Sequence, residues 1–111
     1  MNFSQKDIVL IPFPFSDLTS SKVRPVLILS NNKFNSIGND LIVIPLTSVL
    51  KKIEYSFEIT QNDSSYGKLI KTSRLRLDKI TTLEKKLIKL KIGTLNDLVF
   101  NKIKLKLNEL F

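Results

Sequence analysis

The chain has 111 residues, enough for one domain with a modest core and too few for two, so residues 1–111 are expected to form a single domain. Its 18 lysines and arginines against 10 aspartates and glutamates leave a net charge of +8. That excess either serves solubility alone or favours a polyanionic partner, such as nucleic acid, an acidic protein segment or an anionic membrane surface. The absence of cysteine and histidine excludes disulfides, thiolate chemistry and the common zinc sites, and it suits a reducing cytoplasm. Any acid–base chemistry must therefore use arginine, lysine, carboxylates or hydroxyls.

The first half of the chain predicts short buried strands separated by polar turns. Residues 8–13 are mostly branched and apolar, and the polar stretch SDLTSSK that follows predicts a loop. Continuous apolar runs at 26–29 and 41–44 have the length of buried strands, and the asparagine-rich segment 31–39 predicts a connection between them. The polar start of the chain and the prolines in its longest apolar run predict neither a signal peptide nor a membrane-spanning helix. Of the polyanionic partners that the charge allows, a membrane is not expected.

The middle of the chain predicts further strands. Residues 53–59, IEYSFEI, alternate between apolar and polar side chains, which is typical of a half-solvated antiparallel strand. The stretch QNDSSYGK predicts a loop, and residues 75–80 return to strand-like alternation. Residues 83–92 fit both a helix and a strand, and the pattern favours a turn followed by a strand.

After Gly93 the apolar residues recur at the spacing of one helix face. Thr94 or Asn96 can cap this helix, and Asp97 in its first turn suits the helix dipole. Five to seven short strands followed by one helix predict a mainly β fold, a small barrel or sandwich with the helix packed on it. The predicted apolar stripe consists of Leu95, Leu98, Val99, Ile103, Leu107 and Leu110.

The stretch KVRPVLILS places a strong base directly before a buried strand. Pro25 pushes Arg24 towards extended geometry, so the guanidinium is expected at a strand entrance. If the runs at 26–29 and 41–44 pair about residues 35 and 36, paired residue numbers add to about 71 and Arg24 faces Thr47 on one side of the sheet. A guanidinium beside the hydroxyls of Thr47 and Ser48 would make a phosphate site that needs no metal. An arginine at a strand entrance is, however, more often a solvated strand end or an ion-pair partner than part of a site.

These residues resemble a known family, the MazF/PemK (Kid-like) toxins of bacterial type II toxin–antitoxin systems. DIVLIPFPFSDLTSSKVRPVLILS resembles the opening of those toxins, and DLIVIPLTS resembles their next strand. SRLRLDKITTLEKKLI, followed by KIGTL and a terminal helix, resembles their C-terminal half. The resemblance spans nearly the whole chain. It implies an SH3-like, strongly curved β-barrel of the CcdB/MazF type with a C-terminal helix, assembled as a homodimer.

The resemblance also implies an activity and its residues. The family's members are metal-independent, sequence-specific endoribonucleases (mRNA interferases) without cofactors, which act on single-stranded RNA and are inhibited by a cognate acidic antitoxin. Their catalytic arginine falls on Arg24 and their catalytic threonine on Thr47. Phe15 could equally plug the barrel mouth or the dimer interface, Arg74 and Arg76 could be a solvated strand face, and no general base is identified. The RNA contacts are expected at Phe15, Lys22, Ser48, Arg74, Arg76 and Lys79.

The chain departs from the family at three places. Lys6 stands before Asp7 where many members have glycine, Asp17 is the only acid in a loop where some members carry a glutamate, and Lys79 stands where some relatives place an RNA-contacting glutamine. Two other functions stay open. One is a non-catalytic barrel that binds nucleic acid, and the other is a CcdB-like topoisomerase poison that acts through the terminal helix.

Overall fold

Eight β-strands and two α-helices are present in the part of the chain that the structure, a computed structural model, describes. That part comprises residues 3–12, 23–49, 51, 54–67 and 72–111. In chain order the elements are β1 (Asp7–Pro12), β2 (Val23–Ile28), α1 (Asn32–Ile37), β3 (Asp40–Thr47), β4 (Ser56–Ile59), β5 (Ser64–Gly67), β6 (Ser73–Arg76), β7 (Thr81–Glu84), β8 (Leu90–Leu95) and α2 (Asp97–Asn108).

The strands form one antiparallel sheet in the order β4-β6-β3-β2-β1-β8-β5, and β7 also pairs with β3. On one edge of β3, residues 40–43 pair with β7, whereas Leu46 and Thr47 pair with β6. Pro45, which has no N–H to donate to a ladder, lies between these two pairings. The mainly β prediction with a terminal helix is therefore confirmed.

The sheet buries apolar side chains on both faces. Because successive residues of a strand point to opposite faces, Leu27 belongs to the main core whereas Val26 and Ile28 belong to a smaller one. This explains why β2 and β3 are continuous apolar runs in the sequence. The main core consists of Ile8, Leu27, Ile44, Leu46, Ile59, Leu75, Leu77, Leu95, Val99, Phe100 and Ile103. The smaller core consists of Val9, Ile11, Val26, Ile28, Leu41 and Val43.

Helix α2 packs on the main core, but its buried face differs from the predicted stripe. The side chain of Asn96 caps it by accepting a hydrogen bond from the Val99 N–H at 2.8 Å. Leu98 is 67% exposed, whereas Phe100, which the stripe omitted, is only 3% exposed. The predicted stripe was wrong at Leu95, which belongs to β8, and at Leu98, which is exposed. The buried residues of α2 are Val99, Phe100 and Ile103. No helix of the described residues is long and apolar enough to cross a membrane.

Three predicted segments also differ from the structure. The segment 31–39 contains helix α1, whose N-cap Asn31 accepts a hydrogen bond from the Phe34 N–H at 2.8 Å. The predicted loop QNDSSYGK contains a short 3-10 turn and β5, which reaches strand geometry by pairing with β8 despite its polar sequence. Of the alternation predicted over residues 53–59, Ile53 lies outside the described residues. Strand β4 begins at Ser56, because Tyr55 has a φ of 58°, and Ser56, predicted on the polar side, is buried.

Candidate active site

The pairing of β2 with β3 brings Arg24 and Thr47 towards each other. Val26 pairs with Pro45, Leu27 with Ile44 and Ile28 with Val43, which confirms the register expected from the sequence. The observed pairing ends at Val26 and Pro45, and the same register continued by two residues would set Arg24 opposite Thr47. On its other side Arg24 pairs with Ile11 of β1. The arginine therefore stands on a strand with a neighbour on each side.

A groove of about 740 Å³ lies where the smaller core reaches the ends of these strands, and both Arg24 and Thr47 line it. Among the described residues its ionisable lining side chains are Arg24, Arg76 and Lys79, all of them cationic. The remaining lining residues are polar Thr47, Ser48 and Thr81 and apolar Ile11, Val26, Val43, Pro45, Leu46, Val49 and Leu83. A cationic groove with an apolar lining can attract an anionic chain and also cover the faces of flat, apolar groups.

The Thr47 side chain is fixed by a local hydrogen bond. The Val49 N–H donates to the Thr47 Oγ1 at 3.1 Å. A hydroxyl can accept and donate at once, so this bond leaves the Thr47 O–H proton able to donate to a ligand. Thr47 is half-buried, whereas Arg24 is exposed at the end of its strand. The site thus combines a charged, forked donor with a neutral donor of restricted orientation.

A second arginine of the groove is held by a carboxylate. Arg76 donates from Nε to the Asp78 Oδ1 at 3.0 Å and from Nη2 to the Asp78 Oδ2 at 2.8 Å. This hydrogen bonding lowers the pKa of Asp78 below its ordinary value and raises the pKa of Arg76. Both groups therefore stay charged at neutral pH. No three His, Cys, Asp or Glu side chains of the described residues are grouped as metal ligands would be.

The structure brings five of the eight predicted site residues into this groove: Arg24, Thr47, Ser48, Arg76 and Lys79. Arg74 pairs with Thr47 across β6 and β3 but does not line the groove. Its Nε donates to the Ser56 Oγ at 3.0 Å, and its Nη1 lies 3.8 Å from the Glu58 Oε1. Phe15 and Lys22 lie outside the described residues, so their roles stay predictions, as does RNA contact by Arg74.

Two features of the groove were missed from the sequence, namely the Asp78 partner of Arg76 and the hydroxyl of Thr81. The Arg-Leu-Asp spacing could have indicated the first, because side chains two residues apart on an extended chain point to the same side. The second carries no signal beyond its place at the start of β7. Pattern reasoning finds charged residues more easily than their partners.

Comparison with known proteins identifies what this architecture is similar to. The sequence model of a family described as "PemK-like, MazF-like toxin of type II toxin-antitoxin system" matches residues 4–111. The comparison with curated proteins gives no match. The family match confirms the resemblance drawn from the sequence.

Solved structures of the same fold cover nearly the whole chain. An endoribonuclease from Mycobacterial species in complex with its cognate antitoxin has 24% identity over 98% of this chain and 93% of that chain, with a TM-score of 0.74. The Mycobacterium tuberculosis toxin MazF-mt6 has 18% identity over 93% of each chain and a TM-score of 0.73. A MazE-MazF structure from Deinococcus radiodurans has 16% identity over 96% of this chain and 94% of that chain, with a TM-score of 0.75. These similarities confirm the predicted MazF-type fold.

Proposed function

Because the chain belongs to the PemK-like, MazF-like toxins of type II toxin–antitoxin systems, we propose that it is a sequence-specific endoribonuclease that cleaves single-stranded RNA in the groove without a metal ion. The observation that supports this most directly is the shared placement of Arg24 and Thr47. Both line one groove at the ends of adjacent antiparallel strands, and the ionisable lining side chains among the described residues are all cationic. A phosphodiester of an RNA strand is the ligand that fits such donors.

The proposed reaction is an internal transfer within the RNA. The ribose 2′-hydroxyl loses its proton as its oxygen attacks the adjacent phosphorus, the bond from phosphorus to the 5′-oxygen breaks, and that oxygen takes up a proton. The products are a 2′,3′-cyclic phosphate and a free 5′-hydroxyl, with no net change in protons. Arg24 would bind the non-bridging oxygens as negative charge grows on them and donate towards the leaving 5′-oxygen. Thr47 would donate its hydroxyl proton to the phosphate while accepting from the Val49 N–H. Neither is assigned as the general base, since a protonated guanidinium has no acceptor for a proton and a neutral threonine hydroxyl is too weak a base.

The rest of the groove would hold the strand on either side of the cut. Lys79 and the hydroxyls of Ser48 and Thr81 are placed to contact backbone phosphates, and the apolar lining can cover base faces. Phe15 and Lys22 are further proposed contacts from the segment between β1 and β2. Arg74 is also retained as a proposed contact, although it is only 12% exposed and engaged by Ser56 and Glu58.

The proposed partners are a second copy of this chain and an acidic antitoxin. Two of the similar structures hold a toxin with its antitoxin, the Mycobacterial complex and MazE-MazF. A cationic groove would attract an acidic segment that folds on binding and covers the site. The cognate antitoxin should therefore compete with RNA, and growth arrest should follow when the toxin is in excess.

The test is cleavage of a long RNA by the purified protein in EDTA. Cleavage at a short motif should fall about 10²- to 10³-fold in Arg24→Ala and in Thr47→Val, since each removes one donor to the transition state. Two matched substitutions outside the groove should leave the rate unchanged: Lys33→Ala on α1 removes one positive charge, and Thr82→Val on β7 removes one hydroxyl.

The other two functions predict different results. RNA that stays intact but bound would favour a non-catalytic nucleic-acid-binding barrel. Growth arrest that persists in Arg24→Ala, together with inhibited gyrase, would favour a CcdB-like topoisomerase poison.

A further inference from the structure

The guanidinium of Arg76 has one edge occupied and one edge available. Asp78 occupies the side that carries Nε and one N–H of Nη2. The opposite edge, formed by Nη1 and the second N–H of Nη2, makes no hydrogen bond with any residue that the structure describes. The Arg76 side chain is 25% exposed and lines the groove. Nη1 and Nη2 of Arg76 therefore present two parallel N–H donors to a ligand bound in the groove.

The carboxylate makes this arginine unlike the other cations of the groove. The Arg76–Asp78 pair carries no net charge, so it adds little to the long-range attraction of phosphates. Its fork is held in one orientation, because two hydrogen bonds to a single carboxylate fix the plane of the guanidinium. A turn that follows β6, in which the Lys79 N–H donates to the Arg76 carbonyl at 3.1 Å, holds both residues. A neutral, oriented pair of donors suits a neutral ligand with two acceptors.

Among RNA bases, two adjacent acceptors occur on guanine, as O6 and N7, and on cytosine, as N3 and O2. Adenine and uracil place an N–H donor beside each acceptor on their Watson–Crick edges, and so does adenine on its Hoogsteen edge. We propose that Arg76, positioned by Asp78, reads a guanine or cytosine of the bound RNA strand through two parallel hydrogen bonds. This inference rests on the proposed function, and it names the bases that the groove selects.

The pair should persist over the whole range in which RNA is stable. Hydrogen bonding to Arg76 lowers the pKa of Asp78 from its ordinary value of 3.8, so the carboxylate remains charged at any pH above that value. The preference for guanine or cytosine should accordingly not change between weakly acidic and weakly basic solutions.

The test is cleavage of a randomised RNA pool, with the new 5′ ends read by sequencing. The wild-type protein should require guanine or cytosine at one position near the cut. Arg76→Lys keeps the positive charge but loses the paired N–H donors of the guanidinium. Asp78→Asn loses one of the two hydrogen bonds that hold the guanidinium in its orientation. Each should relax the preference by about 5- to 150-fold, the discrimination of one bidentate base contact. The control Glu109→Gln also removes a paired carboxylate, 3.6 Å from the Lys106 Nζ on α2, and should keep the preference.

A modified substrate separates the two bases without altering the protein. Replacing a selected guanine with 7-deazaguanine removes N7 and should therefore weaken cutting. If the selected base is cytosine, this substitution does not apply. If either Arg76→Lys or Asp78→Asn no longer cuts, the same preference is measured as binding of strands that carry a 2′-deoxyribose at the cut nucleotide, which cannot react.

The inference is overturned if wild-type cutting shows no requirement for guanine or cytosine, or if the requirement survives in both variants while the enzyme still cuts RNA. A selected guanine whose 7-deaza analogue is cut equally well would also overturn it. These results would leave the proposed function standing. A wild-type protein that cuts no RNA would instead refute the proposed function and, with it, this reading of Arg76.

Discussion

Replacing Lys6 with glycine should leave the protein more stable than replacing it with alanine, which reverses the usual order of the two residues. Lys6 has a φ of 80°, in the left-handed region where only glycine is free of steric strain. It lies in a turn in which the Asp7 N–H donates to the Ser4 carbonyl at 3.0 Å, and such turns favour glycine at the third residue. Both substitutions remove the same ion pair with Asp97, so that loss cancels in the comparison.

The expected difference is small but measurable. A residue with a Cβ loses roughly 1–2 kcal/mol in the left-handed region. The greater freedom of glycine in the unfolded chain returns about 0.5–1 kcal/mol of this. Glycine at position 6 should therefore exceed alanine by about 0.5–1 kcal/mol in free energy of unfolding, which corresponds to roughly 2–6 °C in Tm for a chain of this size. The ion pair joins side chains that are 32% and 81% exposed, so its loss costs each variant only about 0–1 kcal/mol against the wild type.

Urea unfolding of the two variants measures this difference, with Lys102 as the matched control. Lys102 is an exposed lysine inside α2, where alanine should exceed glycine by about 1 kcal/mol. The order of the two residues should therefore invert between positions 6 and 102. Alanine that equals or exceeds glycine at both positions would refute a left-handed Lys6. The turn matters for the site because it leads into β1, where Asp7 is buried and accepts from the Ser4 N–H and the Thr94 hydroxyl.

Three further predictions address the helix, the groove and the pH dependence. Phe100→Ala should lower the free energy of unfolding by about 3–5 kcal/mol and Leu98→Ala by less than about 0.5 kcal/mol, and equal effects in urea unfolding would contradict the buried face of α2. Lys79→Gln should reduce the slope of log affinity for single-stranded RNA against log salt concentration by about 0.7. An unchanged slope would mean that Lys79 does not contact an RNA phosphate. The folded pKa of Asp78 lies below 3.8, so the stability it contributes is complete above that value and is lost as the pH falls through the folded pKa. The stability difference between wild type and Asp78→Asn should consequently shrink as the pH falls below 3.8, and a constant difference would argue against the ion pair.

The register of β2 and β3 could be predicted because its causes are local. Two apolar runs of similar length flank a polar segment, and antiparallel pairing about the middle of that segment sets Val26 against Pro45. Helix α1 was not predicted, but its six residues lie in the middle of the polar segment and do not change the register of the two strands. The position of Arg24 relative to Thr47 thus follows from pattern and chain geometry alone.

The features that could not be predicted depend on contacts and backbone conformations that the alternation of side chains does not encode. Arg74 and Arg76 are equivalent by pattern, since both alternate with the buried Leu75 and Leu77. Their partners distinguish them: Arg74 contacts Ser56 and Glu58 of the paired strand β4, whereas Arg76 contacts Asp78 in the turn that follows β6. Similarly, the left-handed Tyr55 interrupts an alternation that the sequence displays without fault.

The groove separates the parts that would do chemistry from the parts that would recognise sequence. Arg24 and Thr47 lie on β2 and β3, whose side chains enter both cores, Leu27 and Ile44 on one face and Val26 and Val43 on the other. Strands packed on both faces hold such donors in place with little freedom. Recognition would instead rest on Arg76 at the end of β6 and on Asp78 and Lys79 just after it. Asp78 and Lys79 are exposed, so substituting them removes no core side chain. Changes at Asp78 and Lys79 would therefore alter which RNA sequence the proposed nuclease cuts while leaving the Arg24–Thr47 arrangement, and with it the proposed reaction, intact.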